Sequence, residues 1–182
     1  MNIILFGPQG SGKGTQARLL CEKFGFFYFE SGAYLRKLAK DHPEMKTVMD
    51  SGKLVPDEEF TSYLTAYLDQ ENLYDDILFD GFPRTLDQYN FLKNWLVQKQ
   101  VKIDLGIVLE ISEKETLKRL LLRKWEDDTP EAIVKRLSLY KSRIEVLINE
   151  IRKDAEVIEV DGERSIEAIQ KDLVQIIEKL YK

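Results

Sequence analysis

The chain has little cysteine and histidine, with one residue of each among its 182 residues. The single cysteine, Cys21, excludes a disulfide framework within the chain and any cysteine-rich zinc site, so we expect no zinc. We interpret Cys21 as a small apolar residue of a helix. An unpaired thiol suits a reducing compartment, and we expect a cytoplasmic protein. His42 stands just before Pro43, a pattern typical of a helix start and not of a catalytic base.

Long apolar runs and an excess of positive charge are also absent from the sequence. No apolar run approaches the ~20 residues of a membrane-spanning helix, and the first residues lack the basic segment of a signal peptide. The net charge is −5, and lysine and arginine are spread along the whole chain, which argues against non-specific nucleic-acid binding. We expect one globular domain over residues 1–182, with no membrane and no nucleic acid as partners.

Short apolar runs alternate along the chain with segments of helical periodicity. Five runs are predicted to be buried strands, at residues 2–6, 26–29, 77–80, 105–111 and 157–160. Helices are predicted between and after them, at about 13–23, 86–98, 113–124, 130–153 and 165–182. Gly25 is predicted to close the first of these helices, and Ser112 with Glu115 three residues later is predicted to form a capping box at the start of the third. This alternation predicts an α/β protein with a three-layer fold, a five-stranded parallel sheet flanked by helices. Ligands of such sheets bind at the carboxyl ends of the strands.

The segment between the second and third strands is helical in pattern but interrupted at Pro43, Gly52 and Pro56. A run of short helices in this position suits a small mobile subdomain. We assign residues 30–55 to it, and an extension as far as residue 70 stays open.

A glycine-rich loop with the sequence GPQGSGKGT follows the first strand and leads into the first helix, at residues 7–15. The spacing Gly-x4-Gly-Lys is that of a P-loop, in which backbone N–H groups surround phosphates and Lys13 adds a positive charge. Gly14 stands where a hydroxyl normally binds Mg²⁺, and the hydroxyl comes one place later, at Thr15. We therefore expect Mg²⁺ to be held by phosphates and water, with no direct protein ligand.

A second polar motif, Asp80-Gly81-Phe82-Pro83-Arg84, ends the third strand. The Asp80 carboxylate can orient a Mg²⁺-bound water, Gly81 lets a ligand approach the backbone, and the guanidinium of Arg84 matches phosphate oxygens. Alone, the motif suits an ordinary turn equally well, but together with a P-loop it indicates a second phosphate site.

Three arginines flank a polar break between two predicted helices. Arg119 and Arg123 are four residues apart and share a helix face, and Arg136 lies on the next helix. They converge on one anionic site if the helices are antiparallel. Spacing alone favours the other interpretation, that they are ordinary solvated charges.

Five motifs occur in the order found in adenylate kinases, and the chain resembles that family over nearly its whole length. They are GxxxxGKGT at 7–15, Ser31-Gly32 with Leu35-Arg36, GKLV at 52–55, DGFPRT at 80–85 and VDG at 160–162. The resemblance implies an enzyme that transfers the γ-phosphoryl group of ATP to AMP, reversibly, with two ADP as products. Mg²⁺ is then the cofactor, and ATP, AMP and ADP are the partners. We expect a monomer.

The resemblance also implies roles for residues at matching positions. The ATP side is Gly10, Ser11, Gly12, Lys13, Gly14, Thr15, Arg119, Arg123 and the backbone of Arg164. The AMP side is Ser31, Arg36, Lys53, Leu54, Val55, Gly81, Arg84, Gln88 and Arg136, with Gln88 on the adenine edge. The charges acting on the transferred group belong to Lys13, Arg84, Arg119, Arg123 and Arg136, and Asp80 holds Mg²⁺ through water.

The sequence departs from the family pattern in three places. Only six residues separate the helix that ends near Arg123 from the next one, so we expect a short form with a lid loop at 124–130 and no inserted lid domain. Trp125 stands where the family usually has a phosphate-binding arginine. Replacement of that arginine by Lys124, stacking of Trp125 on adenine and packing of Trp125 on the loop all stay open. Ala33 stands where an acidic residue is common.

Three other functions compete with this interpretation. A UMP/CMP kinase of the same fold is the nearest, but those enzymes tend to carry Asn in place of Gln88 and Ala in place of Ser31. A GTPase switch is disfavoured by Gly14 and by the lack of an Asn-Lys-x-Asp motif. A catalytically weakened nucleotide sensor stays open because of Trp125.

Overall fold

The structure is a computed structural model that describes residues 1–50, 55–123 and 130–180. Several sequence predictions lie outside these ranges, namely the roles of Lys53 and Leu54 and the lid loop with Trp125. The side chains of Arg123 and Arg136 also lie outside the description, although the backbone of both residues is helical.

Five parallel strands form a single sheet, which confirms the predicted fold class. They are β1 (Asn2–Phe6), β2 (Phe27–Glu30), β3 (Ile77–Asp80), β4 (Ile103–Glu110) and β5 (Glu156–Asp161). Their spatial order is β2-β3-β1-β4-β5, so β1 is central and β3 and β4 are its neighbours. Leu5 of β1 lies opposite Asp80 of β3, and Glu30 of β2 lies opposite the same aspartate.

The fourth strand begins two residues earlier than the sequence predicts, at Ile103. Asp104 interrupts the apolar run and hides this start. In the structure Ile103 pairs with Asn2, where the register of the two strands shifts, and the Asp104 carboxylate accepts the backbone N–H of Asn2 at 2.8 Å. Asp104 therefore stabilises the pairing of β4 with β1 and does not end the strand.

Eight helices are found in the described ranges. They are α1 (Lys13–Phe24), α2 (Ser31–Leu38), α3 (Pro43–Asp50), α4 (Asp57–Gln70), α5 (Leu86–Gln98), α6 (Glu113–Arg123), α7 (Pro130–Ile151) and α8 (Ile166–Leu180). No helix of the described part is both long enough and apolar enough to cross a membrane.

Helices cover both faces of the sheet. Successive side chains of a strand point to opposite faces, so each strand contributes to a hydrophobic cluster on either side. Ile3 and Leu5 belong to a hydrophobic cluster with residues of α1 and α8. Ile4 and Phe6 belong to a second cluster with residues of α4, α5 and α7. This arrangement gives the three layers that the strand pattern predicts.

Local signals in the sequence set most helix ends. Gly25 ends α1 in the left-handed conformation, and its N–H donates to the carbonyl of Cys21 at 2.8 Å. Ser112 caps α6 as predicted, since its hydroxyl accepts the N–H of Glu115 at 3.2 Å. The second half of the predicted capping box is wrong. The backbone N–H of Ser112 donates to Glu163, from the loop after β5, while Glu115 pairs with residues of its own helix.

Candidate active site

The loop between β1 and α1 depends on glycine at positions where the backbone curls tightly. Gly7 has a φ of 150°, and a Cβ there would lie 2.5 Å from the Ser11 hydroxyl and 2.8 Å from the carbonyl of Leu109. Gly12, with a φ of 94°, directly precedes α1. The first N–H groups of α1 and the positive end of its dipole therefore face this loop, an arrangement that binds phosphate.

The ammonium group of Lys13 folds back over the same loop. Its Nζ donates to the carbonyls of Gly7 at 2.6 Å and Pro8 at 2.9 Å. Burial lowers the pKa of Lys13 to about 8, an effect that Asp80 opposes and Arg84 reinforces. A phosphate in the loop would give this buried charge the counter-ion it lacks among carbonyl groups.

Asp80 ends β3 beside the loop and is 7% exposed. Burial raises the pKa of its carboxyl group above the usual range, against the effect of Lys13 and of a hydrogen bond from Tyr28. The Tyr28 hydroxyl donates to Asp80 Oδ2 at 2.9 Å. A Cβ on Gly14 would lie 3.5 Å from that hydroxyl and 4.0 Å from the same Asp80 oxygen. Lys13, Gly14 and Asp80 therefore form one site.

Sequence reasoning missed the part played by Tyr28. The sequence predicts residues 26–29 as a buried strand, and Phe27 and Phe29 do pack in the core. Tyr28 differs because alternation along the strand turns it to the other face, where Asp80 lies. The alternation can be read from the sequence, but the pairing of β2 with β3 cannot.

A pocket opens next to the end of β3, between the segment that follows this strand and the helices that follow β2. Its lining residues are Ser31, Leu35, Val55, Phe60, Gly81, Arg84 and Gln88. Five of them belong to the set that the resemblance assigns to AMP: Ser31, Val55, Gly81, Arg84 and Gln88. The structure thus brings together residues that span almost sixty positions of the chain, around an apolar floor of Leu35, Val55 and Phe60.

The guanidinium group of Arg84 is fixed at the mouth of this pocket. Its Nε donates to the carbonyl of Gly81 at 2.6 Å and its Nη2 to the hydroxyl of Ser31 at 3.1 Å, while Ser31 donates to the Gly81 carbonyl at 2.7 Å. Burial lowers the pKa of Arg84. Gly81 has a φ of 75°, and a Cβ there would lie 2.6 Å from the Ser31 hydroxyl, so only glycine fits this turn.

Gln88 lies in the pocket wall and is 5% exposed. Its Oε1 accepts the backbone N–H of Arg84 at 2.7 Å, and its Nε2 donates to Asp57 Oδ1 at 2.8 Å. Asp57 is the first residue of α4, and the sequence indicates no role for it beyond starting that helix.

Arg36 lies on α2 and is not among the residues that line the pocket. Its Nη2 donates to Glu30 Oε1 at 3.2 Å, and the Arg36 side chain is 62% exposed. Glu30 is the last residue of β2, directly before Ser31. No motif in the sequence points to Glu30, which places a carboxylate next to two residues assigned to AMP.

Arg119 joins the glycine-rich loop to the loop that follows β5. Its Nη1 donates to the carbonyls of Gly10 at 3.3 Å and Gly162 at 3.0 Å, and its Nε donates to Glu115 at 2.9 Å. Gly162 fits tightly here, because a Cβ on it would lie 2.8 Å from the carbonyl of Glu110 and 3.2 Å from that of Ser11. Arg119 therefore lies against the glycine-rich loop, and the resemblance implies a contact of this residue with ATP.

Arg164 lies two residues beyond Gly162, and its side chain turns away along α8. Its Nη1 donates to Asp172 at 2.8 Å. The resemblance implies that the backbone of Arg164, and not this side chain, contacts the adenine of ATP. Arg123 is the last residue of α6 and Arg136 lies within α7, so the two arginines belong to the helix pair that borders the predicted lid loop.

Comparison with known proteins gives one consistent family. A sequence profile described as Adenylate kinase matches residues 5–156. A protein of Phocaeicola vulgatus named adenylate kinase is 36% identical over 188 residues, which cover 99% of this chain and 100% of that protein. One from Corynebacterium aurimucosum, with the same name, is 37% identical over 183 residues, covering 98% and 100%. One from Archaeoglobus fulgidus is 32% identical over 215 residues, covering 99% of each.

Proposed function

The chain belongs to the adenylate kinase family, and on that basis we propose that it transfers the γ-phosphoryl group of Mg·ATP to AMP, reversibly, with two ADP as products. It is a nucleoside monophosphate kinase, and its role is to keep the adenine nucleotides in balance. The observation that carries the proposal is the placement of two phosphate sites on neighbouring strands. The loop of Lys13 follows β1, the pocket of Arg84 follows β3, and Asp80 at the end of β3 is close enough to act on the pKa of both Lys13 and Arg84.

Phosphoryl transfer requires in-line positioning and neutralisation of charge more than covalent chemistry. Lys13 and Arg84 supply fixed positive charges on either side of Asp80, and both groups are held by carbonyl oxygens. Because they are positioned before substrate arrives, they stabilise charge in the transition state without a cost of reorganisation. The ATP side is completed by Gly10–Thr15 and Arg119, and the AMP side by Ser31, Val55, Gly81 and Gln88.

The same site suits a magnesium ion that phosphates and water hold. Within residues 1–50, 55–123 and 130–180, no group of three or more His, Cys, Asp or Glu side chains is placed to hold a metal. A single buried carboxylate, Asp80, stands beside the loop, and Mg²⁺ commonly keeps several waters and takes one carboxylate with substrate phosphates. The ion, when bound, neutralises charge on the phosphates. Asp80 would orient one of its waters, with Tyr28 fixing the carboxylate.

The proposal includes two parts that close over the substrates. Residues 30–55, or as far as 70, form the AMP-binding subdomain, and α2 and α3 supply its described part. The lid is the short loop 124–130, in a short form of the enzyme. An inserted lid domain in the Archaeoglobus fulgidus relative would account for the 33 positions by which its alignment, of 215 positions, exceeds the 182 residues of this chain. Lys53, Leu54, Arg123 and Arg136 keep the roles implied by the resemblance. We also propose a cytoplasmic monomer.

A panel of acceptors tests the proposal. ADP formation is measured in a coupled assay with ATP and each of AMP, UMP, CMP and GMP. AMP is expected to have the highest kcat/KM. A higher kcat/KM with UMP or CMP would assign the chain to the pyrimidine branch instead, and tight binding of ATP and AMP without ADP formation would indicate a sensor. The relatives, all named adenylate kinase, favour neither alternative.

A further inference from the structure

We propose that Asp57 is a positioning residue that fixes the side-chain amide of Gln88 in one orientation and so makes the acceptor site select adenine over hypoxanthine and guanine. The inference deepens the proposed function and rests on it, since it concerns how the AMP pocket distinguishes bases. Asp57 lies outside the pocket lining and acts only through Gln88.

The first observation is the pair of hydrogen bonds that Asp57 accepts. Its Oδ1 accepts from Gln88 Nε2 at 2.8 Å, and its Oδ2 accepts from the hydroxyl of Thr85 at 2.5 Å. Thr85 caps α5 and its hydroxyl also accepts the backbone N–H of Gln88 at 3.1 Å. The carboxylate is thereby held against the start of α5. An ionised carboxylate only accepts, so the NH₂ group of Gln88 has to face it.

The second observation is at the other end of the same amide. Gln88 Oε1 accepts the backbone N–H of Arg84 at 2.7 Å, and a backbone N–H only donates. An amide turned by half a rotation would set its oxygen against the carboxylate and its NH₂ against the N–H. It would lose both hydrogen bonds and gain two repulsive contacts in a site that is 5% exposed. One orientation of Gln88 is therefore enforced from both sides.

The fixed amide has a definite order of donor and acceptor. Each amide nitrogen carries two hydrogens and each amide oxygen two lone pairs, so one hydrogen and one lone pair remain after the contacts to Asp57 and Arg84. The adenine edge offers an N6 amino donor next to the N1 acceptor. Hypoxanthine and guanine offer the O6 acceptor next to an N1–H donor, which is the reverse. A fixed amide pairs with one order and leaves the other unpaired, and unpaired buried groups give strong discrimination.

Steady-state kinetics with AMP and IMP test the inference, because the two bases have the same size and differ in this order of groups. The variants are D57A, Q88A, the double variant D57A/Q88A and the control E58A. Glu58 is an exposed acidic residue in the same first turn of α4, so E58A repeats the loss of charge at the helix start without touching Gln88. Each protein is measured for kcat, for KM of AMP and ATP, and for the AMP:IMP ratio of kcat/KM.

We expect D57A to raise the KM for AMP about tenfold and to lower the AMP:IMP ratio by about the same factor, as the loss of one positioning hydrogen bond gives. The KM for ATP should stay within about twofold, and E58A should behave as the wild type. Because Asp57 acts through Gln88, D57A should change the ratio less than about twofold when Gln88 is already alanine. If circular dichroism shows D57A to be unfolded, D57S takes its place, since serine is tolerated in the first turn and is too short to reach Gln88.

Two results would overturn the inference while leaving the proposed function intact. One is an unchanged AMP:IMP ratio in folded D57A or D57S. The other is an equal fall of the ratio with and without Gln88, which would mean that Asp57 acts by supporting α4 alone. A wild-type protein that forms no ADP from ATP and AMP would instead contradict the proposed function itself.

Discussion

The hydroxyl of Tyr28 donates a 2.9 Å hydrogen bond to Asp80 Oδ2, across neighbouring strands of the sheet. The bond satisfies one oxygen of a buried carboxylate and leaves the other for the site beside the glycine-rich loop. A second pair of the same kind lies outside the residues assigned to the site, where the Tyr89 hydroxyl donates to Asp154 at 2.8 Å. The two pairs separate the effect of a tyrosine–aspartate bond on stability from its effect on catalysis.

Tyr28→Phe is expected to lower kcat about tenfold at saturating Mg²⁺, because Asp80 loses the donor that fixes it and a hydrogen bond to a charged group has that magnitude. Tyr89→Phe serves as the control. It should lose a similar stability, about 1–2 kcal/mol by denaturant unfolding, while its kcat stays within twofold of the wild type. Equal kcat values in both variants would contradict a role of Tyr28 in the site.

Removal of either fixed positive charge should abolish most of the activity. Lys13→Ala and Arg84→Ala are each expected to lower kcat about a thousandfold, since each removes charge that stabilises the transition state. Lys23→Ala is the control, because Lys23 lies at the end of α1 in an exposed ion pair with Glu178. Either active-site variant within tenfold of the wild type would rule out this charge arrangement.

The alkaline side of the pH profile should report Lys13. Burial lowers the pKa of this lysine to about 8, so above that pH the free enzyme loses the charge in its loop, and kcat/KM for ATP should fall. Below pH 8 the ammonium is present and this limb is flat. The Lys13→Arg variant is expected to be less active than the wild type, but its arginine keeps its charge at every pH of the assay. Its kcat/KM for ATP should therefore show no fall near pH 8. A fall that persists in this variant would have another origin.

The resemblance assigns Arg36 to the AMP site, and Glu30, which is paired with Arg36 at 3.2 Å, would then compete with AMP phosphate for its guanidinium group. Glu30→Gln is therefore expected to lower the KM for AMP about two- to fivefold at low salt, a modest factor because the pair is exposed. The difference from the wild type should shrink as salt is raised. Asp172→Asn, which frees Arg164 in the same manner just after β5, the edge strand opposite β2, should leave the KM for AMP unchanged. An unchanged KM in Glu30→Gln would show that the pair does not oppose binding.

Features encoded in short segments could be predicted from the sequence. The glycine-rich loop, the glycine that ends α1 and the serine that caps α6 depend on residues close together in the chain. The parallel sheet followed from alternating runs of apolar and amphipathic residues, although β4 starts earlier than its apolar run because Asp104 bonds to the first pairing residue of β1.

Contacts between distant segments could not be predicted in the same way. Asp57 and Gln88 are 31 residues apart, and Tyr28 and Asp80 are 52 apart. Each pair depends on how two elements are placed in space. The residues around each member of a pair contain no pattern that indicates its partner. The backbone N–H of Ser112 donates to Glu163 and not to Glu115 for the same reason, because Glu163 belongs to a distant segment of the chain.

The position of β1 beside β3 has a consequence for the geometry of transfer. Leu5 lies opposite Asp80, and the two strands lead directly into the two phosphate sites. Hydrogen-bonded strands lie about 4.8 Å apart, and their spacing is among the least variable distances in a protein. The points at which the glycine-rich loop and the loop of Arg84 leave the sheet are therefore held at a fixed spacing by its backbone. Substitutions of side chains in either loop can change affinity and rate without moving these two anchoring points, and closure of the mobile parts takes place over a rigid base.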